Sequence, residues 1–70
     1  MTYTLKEAIG AFMHPVATFD DMDYLAEFLE DRVRTDIRDN ESQEDIDNPQ
    51  ELENLRELYF SYYTIEEKGN

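Results

Sequence analysis

Cysteine is absent from this chain of 70 residues, so neither a disulfide framework nor a thiolate metal site can hold it together. The single histidine, His14, cannot make a histidine-based zinc site without carboxylate help. Basic residues are scarce, with six Lys and Arg against 18 Asp and Glu, which gives a net charge of −12. Direct contact with DNA, RNA or an anionic membrane is therefore not expected, because Lys and Arg hold those surfaces. Long apolar runs are missing as well; none approaches the roughly 20 residues that span a bilayer. The opening MTYTLKEAIG has no basic region followed by an apolar core, so no signal peptide is expected and the expected compartment is the cytoplasm. No internal repeat and no linker divides the chain, which reads as one domain, 1–70.

What is present argues against disorder: 40% of the residues are hydrophobic and 13% aromatic, and they recur at regular spacing. A domain this small buries only about 60% of its unfolded surface, so it needs good helix packing or self-association. The excess negative charge favours solubility at the cost of self-repulsion, and its natural complement is a basic protein surface.

The periodicity predicts an all-α fold, a small three-helix unit. Thr4-Leu5-Lys6-Glu7 has the capping-box pattern, and Leu5, Ala8, Ile9, Phe12 and Met13 follow at helical spacing. They predict a short helix over 5–13, weakened at Gly10 by about 1 kcal/mol and ended by Pro15. A strand at Thr2 to Leu5 is the alternative. Residues 14–18 then form a connector with Val16 turned to the core. His14 suits the negative end of a helix dipole; as a catalytic base it lacks a nucleophile or second histidine nearby.

A long central helix is predicted over 19–39, capped by Thr18 or Asp20. Met22, Leu25, Leu29, Val33 and Ile37 form its apolar side, and Asp36 intrudes there with Arg32 placed to pair with it. Residues 40–48 read as a polar loop. Asp39 to Asp45 alternates oxygen ligands, but Glu44 and Gln50 stand where a calcium-binding EF-hand needs Gly and Glu, so no metal is expected. Asn40-Glu41-Ser42 matches a glycosylation acceptor but lacks any sign of a secretory route. Asn48-Pro49-Gln50-Glu51 then starts a last long helix, predicted over 49–66 and antiparallel to the first long one. Leu52, Leu55, Leu58, Tyr59, Phe60, Tyr62 and Tyr63 spread over roughly 200° of it, wider than the ~100° stripe of a surface helix. Such an arc calls for a second neighbour, either another copy of the chain or a different protein.

Two surfaces are candidates for function. Asp20, Asp23, Glu27, Glu30 and Asp31 recur every three or four residues and make a carboxylate row, flanked by the aromatic pair Tyr24 and Phe28. The second is the aromatic run containing Phe60, Tyr62 and Tyr63, since aromatic anchors dominate interface energetics. In size, charge and helical pattern the chain resembles the small acidic proteins that phages and mobile elements use against host nucleic-acid enzymes. That resemblance implies an inhibitor or regulator whose carboxylates occupy a nucleic-acid-binding protein's basic groove. The alternative is an assembly module, homodimeric or partner-binding through the last helix. A small helical unit has little room for a substrate pocket, so neither an enzyme nor a cofactor is expected.

Overall fold

The computed structural model describes residues 1–69 and corrects the all-α expectation: the chain is an α+β arrangement, not a three-helix unit. Its elements are β1 (Thr2–Ile9), β2 (Phe12–Phe19), α1 (Met22–Asn40), α2 (Gln43–Asp47), α3 (Pro49–Phe60) and β3 (Tyr63–Lys68). The strands form one antiparallel sheet in the order β2-β1-β3.

The predicted helix over 5–13 is instead a β-hairpin. Gly10 and Ala11 are its two-residue loop, and only Gly10 has a positive φ, 63°. That is the pattern of a type II′ turn, whose twist matches the strands it joins. Pro15 does not end a helix; it sits within β2, an edge strand, where a residue without an N–H is tolerated. The register slips beside it: Leu5 faces Ala17 while Lys6 faces Pro15, so Val16 is the extra residue of a bulge. A Cβ added at Gly10 meets nothing within 4 Å, so Gly10→Ala carries only the backbone penalty of the turn. That penalty is about 1–2 kcal/mol. The urea midpoint should fall accordingly with an unchanged slope; an unchanged midpoint would contradict the turn.

The last helix also departs from expectation. It stops at Phe60 rather than near residue 66, and Tyr63–Lys68 pairs with β1. Tyr63, Thr64 and Ile65 are strand-favouring residues, and β1 offers their backbone a ladder that a helical tail would leave unmade. The predicted central helix begins later than 19, because Thr18 and Phe19 belong to β2; Asp21 is its cap, accepting from the Asp23 N–H at 2.7 Å. Within the predicted loop, Ser42 caps the short α2. Asn48 accepts from the Gln50 and Glu51 N–H groups with Pro49 in the first turn, as its sequence predicts.

One face of the sheet carries Leu5 with Ala17 and Ile65 beside it, then Glu7 and Tyr63, and the helices pack there. Thr4, Lys6, Thr64 and Glu66 lie on the other face, where Lys6 pairs with Glu66. Among the described residues, Leu5, Leu25, Val33, Ile37 and Leu55 are the buried hydrophobics. Leu29, Ile46, Leu52, Tyr59, Phe60 and Tyr63 pack against Val33, Ile37 and Leu55. The hairpin tip is uncovered, with Ile9 and Phe12 54% and 71% exposed.

Candidate functional site

Phe19 ends β2 and its ring meets that of Phe28 on α1, with centroids 5.3 Å apart. Contact between these two partly exposed rings helps seat the first turns of α1 at the end of β2. Beside them lies a shallow groove lined by Phe19, Asp20, Tyr24, Glu27, Phe28 and Asp31. A second depression lined by Phe28, Asp31, Arg32, Thr35 and Asp36 shares two of those residues, so the groove continues along α1. The spacing explains the grouping: Tyr24, Glu27, Phe28, Asp31 and Thr35 fall three or four apart and so share one flank of a helix.

The structure thus brings five of the candidate residues together: Asp20, Tyr24, Glu27, Phe28 and Asp31. It leaves two carboxylates of the row outside. Asp23 is exposed in the first turn of α1 and does not line the groove. Glu30 reaches the other way and pairs with Arg56 of α3 at 2.6 Å, which neutralises its charge. Asp31 pairs with Arg34 at 3.2 Å, with both side chains about two-thirds exposed. A pair so open to water contributes little and yields readily to a competing cation. Among the described residues Asp20 and Glu27 have no ion-pair partner.

The groove residues that the sequence reading missed are Phe19, Arg32, Thr35 and Asp36. A strand ending at Phe19 was the missing signal for the first. Asp36 and Arg32 do meet, but through Tyr63: its hydroxyl donates to Asp36 Oδ2 at 2.8 Å and accepts from Arg32 Nε at 3.1 Å. Arg32 also reaches Glu7 of β1 at 3.5 Å, so α1, β1 and β3 are tied at one point.

The second candidate surface is split by the change from helix to strand. Phe60 packs against the core with the Arg56 guanidinium 5.4 Å from its ring centre, and Tyr63 is held in the network just described. Tyr62 is 43% exposed and meets the Tyr59 ring edge-on at 5.9 Å. Leu58 is exposed as well.

Burial pushes the Tyr63 hydroxyl well above the ordinary tyrosine range, and its hydrogen bond to Asp36 adds to the shift. Tyr59 is raised by burial and by its hydrogen bond to Glu41 at 3.0 Å. The unfolded chain loses these protons near the ordinary value of 10, while the folded chain keeps them. The folded state therefore binds more protons above that pH, so this stabilisation is complete below pH 10 and is lost as pH rises further. Tyr63→Phe should lower stability by about 1–3 kcal/mol at neutral pH, because Asp36 and Arg32 lose a partner. It should also flatten the fall in urea midpoint above pH 10. A variant with the wild-type alkaline slope would contradict this role.

Among the described residues no three His, Asp or Glu side chains are grouped to hold a metal ion. In that same span no helix is long and apolar enough to cross a membrane. The groove is open and built of carboxylates and aromatic rings, which suits recognition of a cationic surface. No family model matches the chain, and no curated protein or solved structure is found to be similar to it.

Proposed function

We propose that this chain is a binding protein that lays the acidic–aromatic flank of α1 in the basic groove of a nucleic-acid-binding protein and so inhibits or regulates it. One observation carries the proposal: Asp20, Glu27 and Asp31 line a single open groove together with Tyr24 and Phe28. Glu27 and Asp31, one turn apart, are separated by about 6 Å along the helix axis. That is the same order as the separation of phosphates along a strand, which rises about 3.4 Å per nucleotide. The aromatic rings offer apolar area at low entropic cost, and the net charge of −12 draws the chain to a basic surface. Glu30 and Asp23 stand outside this contact.

The test is capture of partners from the native host's lysate by the tagged chain, repeated with excess duplex DNA and in raised salt. A nucleic-acid-binding protein released by both is the expected result. A partner that persists through both would overturn the proposal and favour the assembly reading. That alternative retains one specific support, the exposed Leu58 and Tyr62 at the junction of α3 and β3. There Tyr62→Ala, rather than a change at the core-packed Phe60, would break the complex.

A further inference from the structure

Only six cations serve this chain, yet three of its four arginines converge on one pocket. Arg34 and Arg38, one turn apart on α1, and Arg56 on α3 rim a cavity of about 350 Å³. Ile37 of α1, Ile46 of α2 and Leu52 of α3 form its apolar wall. We propose that this pocket binds a small monoanionic amphiphile, with a carboxylate between Arg34 and Arg38 and an apolar body against Ile37, Ile46 and Leu52.

The two rim arginines are free to change partners. Arg34 is 3.2 Å from Asp31, Arg38 is 3.8 Å from Asp39, and all four side chains are about two-thirds exposed. Pairs so open to water are weak and give way to a carboxylate whose binding also buries apolar surface. Arg56 is held differently, between Glu30 at 2.6 Å and the Phe60 ring, so it forms the far wall. A cavity of this volume lies at the lower end of the range for small-molecule sites, roughly 300–1,000 Å³. The remaining charge selects for a single anionic head: screening confines the guanidinium field to about 8 Å, beyond which a polyanion meets the acidic surface. The pocket shares no lining residue with the groove between Phe19 and Asp36 and meets it only through the exposed Arg34–Asp31 pair, so failure of one assignment leaves the other standing.

Methyl-resolved NMR titration of the full chain with octanoate, decanoate and octylammonium tests the site. Octanoate should shift the Ile37, Ile46 and Leu52 methyls and leave those of Ile9 and Ile65 in place. Decanoate should bind roughly fifteenfold tighter, since each of its two extra methylenes strengthens binding by about fourfold when buried. The double change Arg34→Gln and Arg38→Gln alters exposed side chains, and the free variant's methyl spectrum checks that the fold is kept. It should weaken octanoate by about tenfold or more, as expected for the loss of charge-assisted hydrogen bonds. Three results would overturn the assignment: no shift of those methyls with either carboxylate, equal binding of octylammonium at the same methyls, or unchanged octanoate affinity in the folded double variant.

Discussion

Leu5→Ala should leave the chain largely unfolded, or bring it close to unfolding, at room temperature. Leu5 is fully buried on the central strand, paired with Ala17 on one side and Ile65 on the other. Truncating a buried Leu to Ala costs about 2–5 kcal/mol. At ordinary per-residue stability a domain of this length has roughly 4–10 kcal/mol in total, and self-repulsion at −12 lowers it. Few buried side chains remain to compensate: Leu25, Val33, Ile37 and Leu55 are the other buried hydrophobics among the described residues. Circular dichroism during urea unfolding should show a collapsed midpoint or no cooperative transition. Leu58→Ala, at an exposed position, should stay within about 0.5 kcal/mol of the parent. A Leu5→Ala chain with the parent's midpoint would mean that the sheet does not support the helices.

Why the sheet was hidden in the sequence follows from the same strand. In β1 the charged Glu7 faces the helices, where Arg32 meets it, while Ala8 lies on the opposite face. Period-2 alternation is thereby broken, and Leu5, Ala8, Ile9, Phe12 and Met13 fall by coincidence at helical spacing. β3 does alternate, but it follows α3 with only Ser61 and Tyr62 between them, so Tyr62 and Tyr63 extended the helical pattern. The apolar arc of roughly 200° was itself the sign of the error, being too wide because it joined a helix to a strand. Where one face of a helix meets the core, the pattern was legible: Leu25, Val33 and Ile37 of the predicted stripe are buried. The Asn48-Pro49 start of α3 was legible for a local reason, since capping depends on neighbouring residues alone.

The groove was legible to the extent that it lies on one helix. Spacing alone places Tyr24, Glu27, Phe28 and Asp31 on a common flank. The removal of Glu30 by Arg56 was not legible, because the two are brought together only by the packing of α1 against α3. Phe19 was missed for the same reason: its contact with Phe28 requires the strand that carries it.

Reversing Glu27 and Asp31 together to Lys should weaken binding to the proposed partner by about a hundredfold. Close charge pairs across an interface couple by about 1.5 kcal/mol or more, which is roughly tenfold in affinity for each. Both positions are exposed, so the fold should persist; changes of this kind away from a core usually stay within about 0.5 kcal/mol. Glu53→Lys with Glu57→Lys makes the same change in net charge at exposed positions on α3. That control should lose only the long-range part of the attraction, which salt removes. Calorimetric titration of the purified partner with both variants compares them. Equal losses would assign the effect to net charge; no loss at Glu27 and Asp31 would remove the groove from the contact.

In the proposed function, the groove from Asp20 to Asp36 takes the place of nucleic acid on its partner. Amide and aromatic NMR signals of the isotopically labelled chain, followed as the purified partner and then duplex DNA are added, test it most directly. Signals of Asp20, Tyr24, Glu27, Phe28 and Asp31 should shift or broaden with the partner and return when DNA displaces the chain. A footprint confined to Leu58 and Tyr62 or to the hairpin tip, or one that DNA leaves in place, would contradict it.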